Sequence, residues 1–114
     1  MTIIRQGDVL IRKTRKKPSA GATHVLDNGR TILAYGEVTG HAHEVITEAP
    51  PMTGDDAVPA QQLFEEPDGT RLLVVRGPVM LRHEEHAPLS IPEGTYEVIR
   101  QREYSPEAIR SVAD

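Results

Sequence analysis

The sequence predicts a mainly β, single-domain protein, folded as a small barrel or sandwich of about eight short strands. Two observations lead to this class. Turn residues recur at short intervals along the 114 residues, and the segments between them are rich in Val, Ile and Leu. Aliphatic and β-branched side chains pack well on a pleated sheet. A chain of this length suits one domain, residues 1–114, with a single modest core.

The first half of the chain contains four predicted strands, and Gly7-Asp8 opens the first of them. An Asn-Gly pair, Asn28-Gly29, lies between the second and third strands. Such a pair supplies the positive φ that a tight turn requires, so the pattern predicts a β-hairpin. Gly40 precedes the fourth strand. The four predicted strands cover residues 9–12, 23–26, 31–37 and 41–47.

The second half contains four more predicted strands, residues 61–65, 70–75, 79–83 and 95–103. Pro67-Asp68-Gly69 separates the first two and indicates a second hairpin. The last strand has the clearest period of two, because Tyr96, Val98 and Arg100 alternate with its other side chains.

Two further segments are not predicted to be strands. Residues 48–60 contain three prolines, a glycine and three acidic residues. This composition indicates a long mobile loop that could serve as a lid over a site. Ser105-Pro106-Glu107 is typical of a helix start, with Ser as the cap and Pro in the first turn. The sequence therefore predicts a short C-terminal helix over residues 108–113.

The composition excludes several kinds of site. There is no cysteine, so disulfides, thiolate metal ligands and a cysteine nucleophile are excluded. The first 13 residues lack the apolar core of a signal peptide, and no segment approaches the roughly 20 apolar residues of a membrane span. We therefore expect a cytoplasmic protein without a membrane partner.

A basic run, residues 12–17, carries five of the thirteen Lys and Arg residues of a chain with a net charge of −4. Such a run could contact a phosphate backbone. No aromatic residue interleaves with these bases, so base stacking is not indicated. We expect a solvated strand end and loop, and a nucleic-acid partner is disfavoured.

Four of the five histidines fall in two tight clusters. His41 and His43 lie two residues apart in a predicted strand, so their side chains point to the same face, about 6–7 Å apart. Both could reach one ion at roughly 2.0–2.2 Å. His24 stands alone and is interpreted as an ordinary packed or exposed histidine.

The second cluster is His83-Glu84-Glu85-His86. A spacing of three does not place both imidazoles on one face of a strand, but it suits a strand end that turns into a loop. We therefore predict that His41, His43, His83 and His86 bind one divalent transition metal. Neutral imidazole suits Zn, Fe, Mn, Ni and Cu alike. Four ligands would give a closed structural site, whereas three would leave a position for water or substrate.

Two short pieces of the chain resemble the motifs of the cupins, a superfamily of small metal-binding β-barrels. His41-Ala42-His43 followed after four intervening residues by Glu48 matches the end of the first cupin motif, although Gly36 stands one place too close. Pro92-Glu93-Gly94 matches the turn of the second motif. Where that motif has its last histidine ligand, this chain has Glu97.

The resemblance implies a cupin-like barrel with its metal inside, near one end. His41, His43 and Glu48 would carry over as ligands. The fourth place would be filled by Glu97, or by His83 or His86 reaching in from another strand. Fold analogy does not give the function, because cupins include dioxygenases, isomerases and plain binding proteins.

Three functions compete. In a metalloenzyme acting on a small molecule, Glu44, Glu84 or Glu85 would serve as general base and Arg82 would hold an anionic substrate. In a non-catalytic module, the metal would rigidify the domain or bridge the subunits of a homo-oligomer. The third is a nucleic-acid accessory protein that uses the basic run.

Overall fold

The structure, a computed structural model, describes residues 3–35, 40–47, 59–84 and 86–100. Ten strands form in these ranges, because short apolar segments alternate with turns throughout. The strands are β1 (Ile3–Gln6), β2 (Val9–Thr14), β3 (Thr23–Val25), β4 (Thr31–Tyr35), β5 (Ala42–Thr47), β6 (Gln61–Glu65), β7 (Arg71–Val75), β8 (Val79–His83), β9 (His86–Ile91) and β10 (Gly94–Arg100).

The strands form two antiparallel sheets. The large sheet has the order β1-β2-β10-β7-β6-β3, and the small sheet has the order β4-β5-β8-β9. β1 and β2 are joined by the two-residue turn Gly7-Asp8, with Gln6 opposite Val9. Pro67-Asp68-Gly69 lies in the turn of the β6–β7 hairpin, as the sequence predicts.

The predicted hairpin around Asn28-Gly29 is wrong, although its turn is correct. Asn28 and Gly29 have φ of 52° and 79°, and Asp27 and Arg30 exchange backbone hydrogen bonds of 2.9 Å. The flanking strands nevertheless belong to different sheets, since β3 pairs with β6 and β4 with β5. The turn carries the chain from one sheet to the other.

Both sheets contribute to one core, and alternation along each strand decides which side chains enter it. Tyr96 is fully buried at the centre of the large sheet, and its hydroxyl donates to the Pro92 carbonyl at 2.7 Å. The buried cluster comprises Val9, Ile11, Leu33, Ala34, Val45, Leu63, Leu73, Val75, Val79, Leu81, Ile91 and Tyr96.

Of the two architectures predicted, the closed barrel is wrong. Among the described strands the hydrogen bonding does not close, because β1 and β3 end one sheet and β4 and β9 the other. The two sheets still come close, with β1 beside β9, and β4 beside β6, the neighbour of the edge strand β3. A side-chain hydrogen bond also links the sheets, because Arg71 Nη1 of β7 donates to the Leu33 carbonyl of β4 at 2.9 Å.

Other sequence-based expectations fall outside the described residues. They are the C-terminal helix (residues 108–113) and nearly all of the predicted mobile loop, of which only Pro59 and Ala60 are described. The sequence does not predict β1 and β9, because β1 has only four residues and β9 contains Pro88 and lacks a regular alternation of apolar and polar side chains. Within the described ranges, no helix has the length and apolar character needed to cross a membrane.

Candidate metal centre

Three histidines lie on the inner face of the small sheet, at one end of it. His41 immediately precedes β5, and His43 lies two residues along, on the same side as buried Val45. β5 pairs with β8 with Glu44 opposite Arg82, and this register brings His43 beside His83. Their ring centroids are 4.3 Å apart. His43 and His83 are 2 % and 7 % exposed, so both imidazoles are shielded from solvent.

His86 joins this group through the β8–β9 hairpin. His83 and His86 are directly opposite each other across the hairpin, with two residues between them. Directly opposed residues of antiparallel strands point to the same face, which resolves the spacing of three that a single strand could not accommodate. The register shifts beyond this pair, so that Leu81 again faces Leu89. The rings of His83 and His86 lie 4.8 Å apart.

Glu84 completes a compact set of donors with His41 and His83. One imidazole nitrogen of each histidine and one Glu84 oxygen all lie within 4.8 Å of one another. Glu84 Oε1 also accepts a hydrogen bond of 2.8 Å from the Ala42 backbone N–H, which orients the carboxylate. Glu84, predicted as a general base, therefore lies where a ligand would lie.

A glutamine from the opposite sheet orients His43. Gln6 is 3 % exposed, and its Nε2 donates to the carbonyls of Leu81 and Ala87, at 3.0 Å each. Since both partners of Nε2 are acceptors, the amide has one orientation, and its Oε1 faces His43 Nδ1 at 2.9 Å. His43 Nδ1 therefore carries a proton, and in the neutral ring the lone pair is on Nε2.

Asp8 lies at the other nitrogen of His43. Its Oδ1 is 3.2 Å from His43 Nε2, and its Oδ2 accepts a hydrogen bond of 3.1 Å from Arg100 Nε. Partial burial alone would raise the pKa of Asp8, but the hydrogen bond and charge of Arg100 outweigh burial and lower that pKa below its usual value. Asp8 is therefore a carboxylate at neutral pH.

The charge state of His43 follows from its surroundings. Burial, and next the neighbouring imidazole of His83, lower the pKa of His43 below its usual value, although Asp8 acts in the opposite direction. The neutral form of the ring is thereby favoured, and in that form the His43 Nε2 lone pair faces the Asp8 carboxylate.

Gly7 leaves the space that two of the imidazoles occupy. A Cβ at this position would lie 2.8 Å from His86 Nε2 and 3.2 Å from His43 Cε1. Gly7 also has a φ of +59°, which disfavours any larger residue. The β1–β2 turn thus packs its bare backbone against the histidine group.

The other predicted catalytic residues are not brought to this group. Arg82 is more than half exposed on the outer face of β8, where its Nη1 lies 3.6 Å from Glu44 Oε1. Arg30 makes a two-pronged contact with the same carboxylate, at 2.8 and 3.1 Å. Arg82 and Glu44 alternate with His83 and His43, so they point away from them. Glu85 lies outside the described residues.

Among the described residues, the histidine group includes neither of the two glutamates that the cupin resemblance suggests as ligands. Glu97 lies on the outer face of β10 and pairs with Arg12 and Lys16, so it is not part of the histidine group. Glu48 lies outside the described residues. His24 packs against Phe64 on the large sheet, with ring centroids 5.4 Å apart, in keeping with its interpretation as an ordinary histidine.

The basic run is accompanied by acids. Beyond the pairing of Arg12 and Lys16 with Glu97, Lys16 and Lys17 line an open groove that also contains Glu66 and Asp68. The charge around Lys16 and Lys17 is therefore mixed.

Sequence reasoning missed Gln6 and Asp8. Gln6 carries one weak signal, a polar side chain at the inward position before a Gly-Asp turn. Nothing local places it against His43, which is 37 residues away in the chain.

One comparison with known proteins gives a match. Residues 5–101 match the model of a family described as a domain of unknown function, DUF8820. No curated protein and no solved structure matches the chain significantly. The matched segment contains Gln6, Asp8, Glu84 and all four clustered histidines. With most of its length matched, the chain belongs to the DUF8820 family.

Proposed function

We propose that this protein binds a divalent transition metal through His41, His83 and Glu84, and that the ion acts on a small-molecule substrate. The observation that carries the proposal is the convergence of two imidazoles and one carboxylate within 4.8 Å. Three donor atoms spread evenly around an ion at roughly 2.0–2.2 Å lie at most about 3.8 Å apart. Side-chain movements of about 1 Å would therefore bring these three donors to ligand spacing.

The donor set favours chemistry over a purely structural role. Two histidines and one carboxylate bind Zn in hydrolytic sites and Fe(II) in oxygenase sites, and three protein ligands leave open positions on the ion. Glu84 is exposed and His41 half-buried, so the ion would be reached from solvent. Water or dioxygen could bind there and be activated.

The test is metal binding by the purified full-length chain. After chelator treatment, the protein is titrated with Zn²⁺, Co²⁺, Mn²⁺, Ni²⁺ and Fe²⁺ while binding is followed by calorimetry. We expect His41→Ala and Glu84→Gln each to weaken binding at least about 10-fold. The matched control is His24→Ala, which removes an imidazole outside the group. If no metal binds at any loading, or if the control loses as much affinity as His41→Ala, the proposal is wrong.

A second function is supported by the position of the donors. They connect the start of β5 to the β8–β9 hairpin, so an ion would tie these elements together and stabilise the domain, or a homo-oligomer of it, without chemistry. A ligand at 100 times its Kd stabilises a folded protein by about 2.7 kcal/mol. A large loss of melting temperature with chelator, together with a Co²⁺ spectrum lacking any exchangeable water ligand, would favour this alternative.

A further inference from the structure

The His43–Asp8 contact is a second group of donors beside the first. Asp8 Oδ1 and His43 Nε2 are 3.2 Å apart. Neighbouring ligands of one ion, each at roughly 2.0–2.2 Å, are separated by about 2.9–3.5 Å. The pair therefore already has the spacing of two ligands of a common cation.

The surroundings of His43 aim its Nε2 at that position. Gln6 uses both its donor and its acceptor groups in the interior, on Leu81, Ala87 and His43 Nδ1. A buried hydrogen bond that fixes the tautomer of a histidine is the usual partner of a metal ligand. In this protein it leaves Nε2 as the coordinating nitrogen, facing a carboxylate that Arg100 holds in place.

A third imidazole, that of His86, lies beside the β1–β2 turn that carries Asp8. His86 Nε2 and His43 Cε1 lie 2.8 and 3.2 Å from the position that a Cβ of Gly7, the residue next to Asp8, would take. The rings of His43 and His86 are stacked, with centroids 6.0 Å apart and planes inclined by 20°. His86 is exposed, so its ring can turn toward a cation at this place without opening the core.

We infer that this protein has a second divalent-cation site, formed by Asp8, His43 and His86, next to the site of His41, His83 and Glu84. The inference rests on the proposed function, since His83, a donor of the first site, has its ring 4.3 Å from the ring of His43. Paired ions typically lie about 3.5–4 Å apart and stabilise the attacking and leaving oxygens of a displacement. Two ions at that spacing would suit hydrolysis of a phosphate or carboxylic ester.

The experiment counts Zn²⁺ ions bound per chain by native mass spectrometry, with affinities from calorimetry. We expect two ions for the wild-type protein. Asp8→Asn should bind one ion, with a loss of about 10- to 100-fold or more in affinity at the second site only. His86→Ala should lower the Zn²⁺ affinity of the same site, whereas Glu84→Gln should lower the affinity of the other site. Asn is well tolerated in turns, so Asp8→Asn should fold, and its melting temperature checks this.

Asp68→Asn is the matched control, because Asp68 is also a turn carboxylate but lies in the β6–β7 turn. It should bind two ions. One ion in the wild-type protein, or two ions in Asp8→Asn, would overturn the second site and leave an ordinary ion pair between Asp8 and His43. Loss of both ions in Asp8→Asn would also overturn it, in favour of one joint site. A wild-type protein that binds no Zn²⁺ would instead overturn the proposed function.

Discussion

Gln6 connects the two sheets at the histidine group. Its side chain belongs to the large sheet, but its three hydrogen bonds reach Leu81, Ala87 and His43 of the small sheet. A buried polar group is favourable only when its hydrogen bonds are satisfied. If it is replaced by an apolar residue, its former partners stay buried without a hydrogen bond, which destabilises the fold. The stability and the tautomer of the site therefore depend on one amide.

Replacing Gln6 with Met tests this dependence. Gln6→Met should lower the free energy of unfolding of the metal-free protein by roughly 1–3 kcal/mol, because the Leu81 and Ala87 carbonyls and His43 Nδ1 lose their partner. Urea unfolding measures the change. Gln62→Met, on the outer side of β6 where Gln62 contacts Arg76, should change stability by less than about 0.5 kcal/mol.

A complementary measurement reads the tautomer directly. Nitrogen chemical shifts of His43 in the metal-free wild-type protein should show the proton on Nδ1, as the Gln6 contact requires. A proton on Nε2 alone would contradict the orientations of both the Gln6 amide and the His43 ring.

The strands of the small sheet separate two kinds of chemistry by alternation. His43 and His83 point inward, while their neighbours Glu44 and Arg82 form a charged cluster with Arg30 on the outer face. The Arg30 hydrogen bond is the main cause that lowers the pKa of Glu44 below its usual value, although burial opposes it. The outer cluster stabilises the pairing of β5 with its neighbours, and the inner face carries the donors.

This separation gives a pH prediction. Since the pKa of Glu44 is lower in the folded than in the unfolded protein, its ion pairs stabilise the fold above the unfolded value near 4.5 and lose this effect as pH falls through the folded value. Glu44→Gln should therefore cost about 0.5–1 kcal/mol at pH 7, and this cost should shrink as the pH falls below the unfolded value.

The measurement is chemical denaturation across that pH range. Glu93→Gln, which removes an exposed acid from the turn before β10, serves as the control and should follow the wild-type profile closely. A Glu44→Gln deficit that stays constant down to pH 3 would show that the carboxylate charge is not its cause.

We expect the two sheets to unfold as one cooperative unit, because they share a core. Leu73 of the large sheet and Leu81 of the small sheet are both fully buried in the same cluster. Arg100 adds a polar link between the sheets by donating to the Tyr35 carbonyl while it holds Asp8. Damage to either sheet should therefore be felt throughout the molecule.

We expect Leu73→Ala and Leu81→Ala each to lower the free energy of unfolding by about 2–5 kcal/mol, because each leaves a cavity in the common core. Circular dichroism and tyrosine fluorescence should give coincident transitions in both variants. Leu26→Ala, at a position 52 % exposed, is the control and should change little. Two separate transitions in either variant would contradict a shared core.

Local rules predicted part of this structure correctly. The period of two predicted that Tyr96 and Val98 share one face of β10, and that face is the core side. The Asn28-Gly29 turn was also correct, because the positive φ is a property of the dipeptide. The hairpin built on it was wrong, since the turn does not determine which strands pair.

By itself, the sequence determined the β character of this protein, its lack of thiol chemistry and the two histidine clusters, because composition and alternation are local properties. The tertiary structure decided that His83 and His86 face each other, that Glu84 lies among the donors, and that Gln6 and Asp8 reach His43 from the other sheet. These contacts depend on strand register and on the packing of two sheets, which join residues far apart in the chain. No short stretch of sequence contains that information.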